Sequence, residues 1–113
     1  MATYWVTLGY QDKAANIIED EGIRQKMQRV LPKLKELANR ESKFEQLSYV
    51  TQDLDEAKSI RAQAVSIMRA ERLEYVPSII RQPECPNCGF LGRFSDEYCF
   101  KCGARLIPRE YIE

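Results

Sequence analysis

The chain of 113 residues contains no histidine. This removes the side chain most used for proton transfer near neutral pH, and with it His-based triads and His-ligated metal centres. Glycine is scarce, at five residues, and no glycine-rich phosphate loop is present. No apolar run approaches 18 residues, so no membrane span is expected. Neither sign of charge dominates: 17 basic side chains face 17 acidic ones. Tight sequence-independent binding to nucleic acid draws on phosphate neutralisation, which a balanced surface supplies poorly. No paired-carboxylate arrangement stands out from ordinary helix-surface acids, so a non-enzymatic role is expected.

Cysteine is also rare, yet all four are concentrated in two pairs, Cys85-Pro86-Asn87-Cys88 and Cys99-Phe100-Lys101-Cys102. Two thiolates separated by two residues can reach one ion from a tight turn, and two such pairs complete a closed tetrahedron. Gly89 and Gly103 follow the pairs and allow the positive φ that turns backbone N–H groups toward sulfur. One structural zinc ion is the expected cofactor, ligated by Cys85, Cys88, Cys99 and Cys102. Four thiolates leave no open position for a catalytic metal. Two disulfides are the reading for a secreted chain, but Met1-Ala2-Thr3 runs into a polar-alternating stretch with no signal-like apolar core. A rubredoxin-like iron site for electron transfer also uses two such pairs. Its helical di-iron companions bind metal through Glu-x-x-His motifs, which a chain without histidine lacks.

The two pairs, Pro86, Tyr98 and the run from Cys102 to Leu106 resemble the zinc-ribbon family over residues 84–108. That resemblance covers under a quarter of the chain. It implies a metal and a knuckle-strand-knuckle-strand fold, and no particular function.

Residues 3–10 alternate, Tyr4, Val6, Leu8 and Tyr10 against Thr3, Trp5, Thr7 and Gly9, which is a strand signal. A lone strand is unstable. Other β-prone segments are 90–94 and 104–107 in the ribbon, with 76–80 less so. The strand is therefore expected either to join the ribbon's sheet or to lie across the helices. From Asp12 to about Arg81 the pattern is helical. A short helix around Ala14 to Ile18 precedes a break at residues 19–22, where Glu19, Asp20 and Glu21 suit the positive start of the next helix. The stripe Ile23, Met27, Val30, Leu31, Leu34, Leu37, Ala38, Phe44, Leu47 then crosses Pro32 in phase and predicts one helix kinked there. Asp53, with Glu56 three residues on, predicts a new helix start after a short connection near residues 49–52.

The expected fold is thus mainly α: an antiparallel helical hairpin kinked at Pro32, with a short N-terminal strand and a small C-terminal β zinc ribbon. Residues 1–76 form the hairpin domain, 77–84 a linker bracketed by Pro77 and Pro83, and 85–113 the ribbon and tail. No internal repeat is visible. Narrow, alanine-rich apolar faces suggest a homodimer through the hairpin.

For binding, Lys26, Arg29, Lys33 and Arg40 fall on one side at helical spacing, within a stretch that also holds Lys43. A cationic face opposite an apolar stripe is most often solvated. In the ribbon, cations including Arg93 lie among aromatics including Phe94, a mixture suited to a protein interface or to stacking on bases. With neutral net charge, the expectation is a cytoplasmic adaptor or regulator that binds an unidentified larger protein, anchored by side chains such as Arg93, Phe94 and Trp5. A nucleic-acid-binding module is the alternative.

Overall fold

The computed structural model describes residues 2–41, 46–74 and 76–112. Lys43 and Phe44, counted above in the basic stretch and the apolar stripe, lie outside these residues. The described chain runs β1 (Tyr4–Tyr10), α1 (Asp12–Asn16), α2 (Glu21–Leu37), β2 (Arg40–Glu41), β3 (Gln46–Thr51), α3 (Leu54–Ala70), β4 (Ser78–Arg81) and β5 (Glu110–Ile112). All neighbouring strands pair antiparallel, in the order β2-β3-β1-β4-β5. The fold is therefore α+β, which corrects the expectation of a mainly α helical hairpin.

The N-terminal strand is the centre of that sheet. β1 hydrogen-bonds β3 on one side and β4 on the other, so it does not extend a ribbon sheet, while its Val6 and Leu8 do lie against the helices. β3 and β4, each antiparallel to β1, run in the same direction, and α3 is the crossover between them. The expected hairpin fails between residues 38 and 51. Leu47 kept the helical spacing of the preceding stripe, but Leu47 and Tyr49 also alternate with Ser48 and Val50. The strand period wins because β1 needs a partner there and Tyr49, Val50 and Thr51 fit a pleated, half-buried surface.

Local helix signals were more faithful. Asp20 caps α2 by accepting from the Ile23 N–H at 3.0 Å, with Glu21 in the first turn, and α2 continues through Pro32. Asp53 caps α3 by accepting from the Asp55 and Glu56 N–H groups. α3 ends at Ala70, short of the expected limit; Arg72 takes φ +57° and the Leu73 N–H closes back on Met68 O at 3.0 Å. Among the described residues, no helix is long and apolar enough to cross a membrane.

One face of the sheet carries the main core. Val6 and Leu8 of β1, Leu47 of β3 and Ile79 of β4 pack against Met27, Val30, Leu31 and Leu34 of α2 and Ala57, Ala64 and Met68 of α3. The strand register shifts between Thr7 and Gly9. A Cβ at Gly9 would stand 2.9 Å from Leu34 Cδ1, which shows how closely α2 approaches β1. Ala57 and Ala64 of α3 are fully buried in this core.

Residues 77–84, read from the sequence as a linker, supply β4. The chain then leaves the sheet, forms the cysteine module, and returns as β5, with Ile80 opposite Tyr111 and Arg81 opposite Glu110. The module is in effect an elaborated connection between two adjacent antiparallel strands. It has a small core of its own, Cys85, Cys99 and Leu106 with Phe90 and Ala104 against them.

Candidate metal centre

The module is built twice from the same backbone, fourteen residues apart. In the first knuckle the Cys85 N–H bonds Phe90 O at 2.9 Å and the Gly89 N–H bonds Cys85 O at 3.0 Å. In the second, the Cys99 N–H bonds Ala104 O at 2.7 Å and the Gly103 N–H bonds Cys99 O at 2.9 Å. Gly89 and Gly103 both take φ +75°, a left-handed angle that a side chain would resist. The bridge Glu84 to Leu91 has its counterpart in Tyr98 to Arg105. Sequence inspection found no repeat because apart from the cysteines and glycines the two halves carry different side chains. The segments 90–94 and 104–107, read as β-prone, contribute only isolated bridges, one through Leu91 and two through Arg105 and Ile107.

This arrangement brings the four Sγ atoms within 4.8 Å of one another, with Cys85 to Cys102 and Cys88 to Cys99 each at 3.5 Å. The first cysteine of each knuckle is buried and the second exposed. Such a set could hold a metal ion. Its electrostatics favour thiolate at the inner positions: the backbone of Cys88, then Asn87, hydrogen-bonds Cys85 and lowers its thiol to about 6, against the opposing effect of burial. Cys99 is also lowered; burial opposes this most strongly, and hydrogen bonds from the Cys102 and Lys101 backbone prevail. Cys88 shows the reverse. The Phe90 backbone favours its thiolate, but desolvation and the neighbouring thiols of Cys85, Cys99 and Cys102 push it up to about 12. Four thiolates without a cation repel one another, and a bound ion relieves this.

The module is fastened to the outer face of the sheet by residues the sequence analysis had separated. Trp5 and Phe94, each named as a partner anchor, contact each other. Trp5 Nε1 donates to Gln82 Oε1 at 2.8 Å, and Gln82 Nε2 donates to Gly92 O at 2.9 Å. Gln82 is the residue sequence reading missed, since a lone glutamine between two prolines carries no pattern. Arg93 is held by Asp96, through its own N–H to Oδ2 at 2.9 Å and through its guanidinium to Oδ1 at 3.1 Å.

The cationic stripe does not survive folding. Lys26, Arg29 and Lys33 lie on α2, whereas Arg40 belongs to β2, where its guanidinium sits 5.0 Å from the centre of the Trp5 ring. Arg29 pairs with Glu71 at 3.0 Å. Lys33 is exposed, and Lys26 lines a shallow groove with Tyr10, Met27 and Leu73.

No protein-family model matches the chain, and neither a curated protein nor a solved structure matches it.

Proposed function

We propose that the chain is a small non-enzymatic zinc-ribbon adaptor or regulator of the cytoplasm, which holds one structural zinc and docks on a larger protein. The convergence of the four Sγ atoms within 4.8 Å carries this reading. Zinc bound to thiolates at about 2.3 Å in a tetrahedron spaces its sulfurs about 3.8 Å apart, close to the distances already present. Bound there, the ion would supply folding energy for the module rather than chemistry. The chain's own residues then act as a scaffold: Gln82, Phe94 and the strands on either side fix the module on the sheet.

The dispersal of the cations weighs against the nucleic-acid alternative. Arg29 and Arg93 are committed to Glu71 and Asp96, and Arg40 to the Trp5 ring. Elemental analysis of the purified chain tests the metal, with about one zinc per chain expected; iron with a red ferric-thiolate colour would favour electron transfer instead. Cross-linking in the native host, followed by mass spectrometry, tests the adaptor role. A single protein recovered in stoichiometric amount is the expected result, and recovery of nucleic acid alone would overturn it.

A further inference from the structure

The two halves of the cysteine module share a backbone but not a use. Glu84 and Leu91 of the first half are partly buried and lie on the side toward β4. Their counterparts, Tyr98 and Arg105, are exposed. At the knuckle tips Pro86 and Asn87 are matched by Phe100 and Lys101. Pro86 shows that the turn needs no aromatic ring at this place. Yet Phe100 is 91% exposed and Tyr98 59% exposed, with Ile107 at 39%.

The structure also sorts the module's mixture of rings and cations. Phe90 packs on the small core beneath Lys101, whose Nζ lies 5.6 Å from the ring centre. Phe94 is used on Trp5 and Arg93 on Asp96. Left outward are Tyr98 and Phe100, with Arg105 beside Tyr98 as its bridge partner and Arg109 further on. Among the described residues neither arginine makes an ion pair. Bridge partners present their side chains on one face, so Tyr98 and Arg105 are neighbours next to the exposed knuckle tip.

We propose that this outward half, Tyr98, Phe100, Lys101 and Arg105, is a docking surface for an acidic protein segment that carries an apolar anchor. This rests on the adaptor reading and names the chemistry of its partner. The rings supply desolvated contact area, and the cations select for acidic flanks and against basic ones. Two cations are too few to hold a nucleic-acid backbone tightly at physiological salt.

The test uses the full chain loaded with zinc and three probes of equal length: an Asp/Glu-rich peptide with a central Leu-Phe pair, the same peptide with lysine in place of the acids, and oligothymidylate. The acidic peptide should bind with Kd below about 1 mM and shift amide resonances within residues 98–107. Phe100→Ala and Arg105→Glu should each weaken it by about tenfold or more, while zinc content and the Trp5 spectrum stay unchanged because both side chains are exposed. No binding below about 1 mM, equal binding of the lysine peptide, or full affinity in the double variant would each overturn the proposal. Cross-linking with the double variant separates the two levels. A partner still captured at the wild-type level would sink this surface and leave the adaptor role standing, whereas preferential binding of oligothymidylate through Phe100 and Arg105 would overturn both.

Discussion

Trp5 and Phe94 meet edge to face, with ring centres 5.6 Å apart and planes at 79°. The contact joins the central strand of the sheet to the loop between the two cysteine knuckles. Because Trp5 is the only tryptophan, its emission reports on whether the module is in place.

Treatment with a strong metal chelator should therefore shift Trp5 emission to longer wavelength as Phe94 and Gln82 leave it. The far-UV helical signal should persist, since the main core shares no buried residue with the module's own. Changing any one of Cys85, Cys88, Cys99 or Cys102 to Ser should give the same spectrum without chelator. An unchanged Trp5 spectrum in metal-free protein would show that the module holds its place without an ion.

Leu34 is fully buried between α2 and β1, so Leu34→Ala should cost about 2–5 kcal/mol in denaturant unfolding. Leu37 and Ile67 only border that core, and their alanine variants should cost less than Leu34→Ala. Equal losses at all three would mean that the apolar faces of α2 and α3 are wider than the structure shows.

Gly92 lies where an added Cβ would overlap Leu106 Cδ1, itself buried in the module. Gly92→Ala should destabilise by about 1–3 kcal/mol through overpacking. The loss should appear as weaker metal retention in competition with a chromogenic chelator, while the unfolding midpoint of the helical layer moves little.

Tyr49 donates its hydroxyl hydrogen bond to Glu56, and that hydrogen bond, aided by desolvation and the Glu56 charge, raises its pKa above 10.0. A group held protonated in the folded state contributes stability below its unfolded pKa and loses it as pH rises through the folded one. The stability difference between the wild-type chain and Tyr49→Phe should thus be constant up to about pH 10 and shrink above it. Denaturant midpoints measured across that range check the sign; a difference that grew with pH would contradict it.

Short-range chemistry was legible in the sequence. The four cysteines at their spacings, the glycines after them, the acids that open α2 and the cap at Asp53 each act within a few residues, and the folded chain places them as expected. The alternation at residues 4–10 likewise identified a strand. What the sequence left open was the strand's partners, and only tertiary structure decided them. Leu47 fits a helical stripe and an alternating strand equally well, and it became strand because β1 exposes unpaired backbone groups on both edges. Residues 78–81 and 110–112 gave weaker signals still, being too short to show a period, yet β4 completes the other side of β1 and β5 pairs with β4. The fate of Trp5, Arg40, Gln82 and Phe94 depended on the same event. They lie up to 89 positions apart in the chain, and only a sheet that aligns β1 with β3 and β4 brings a cation, a ring and an amide to one place.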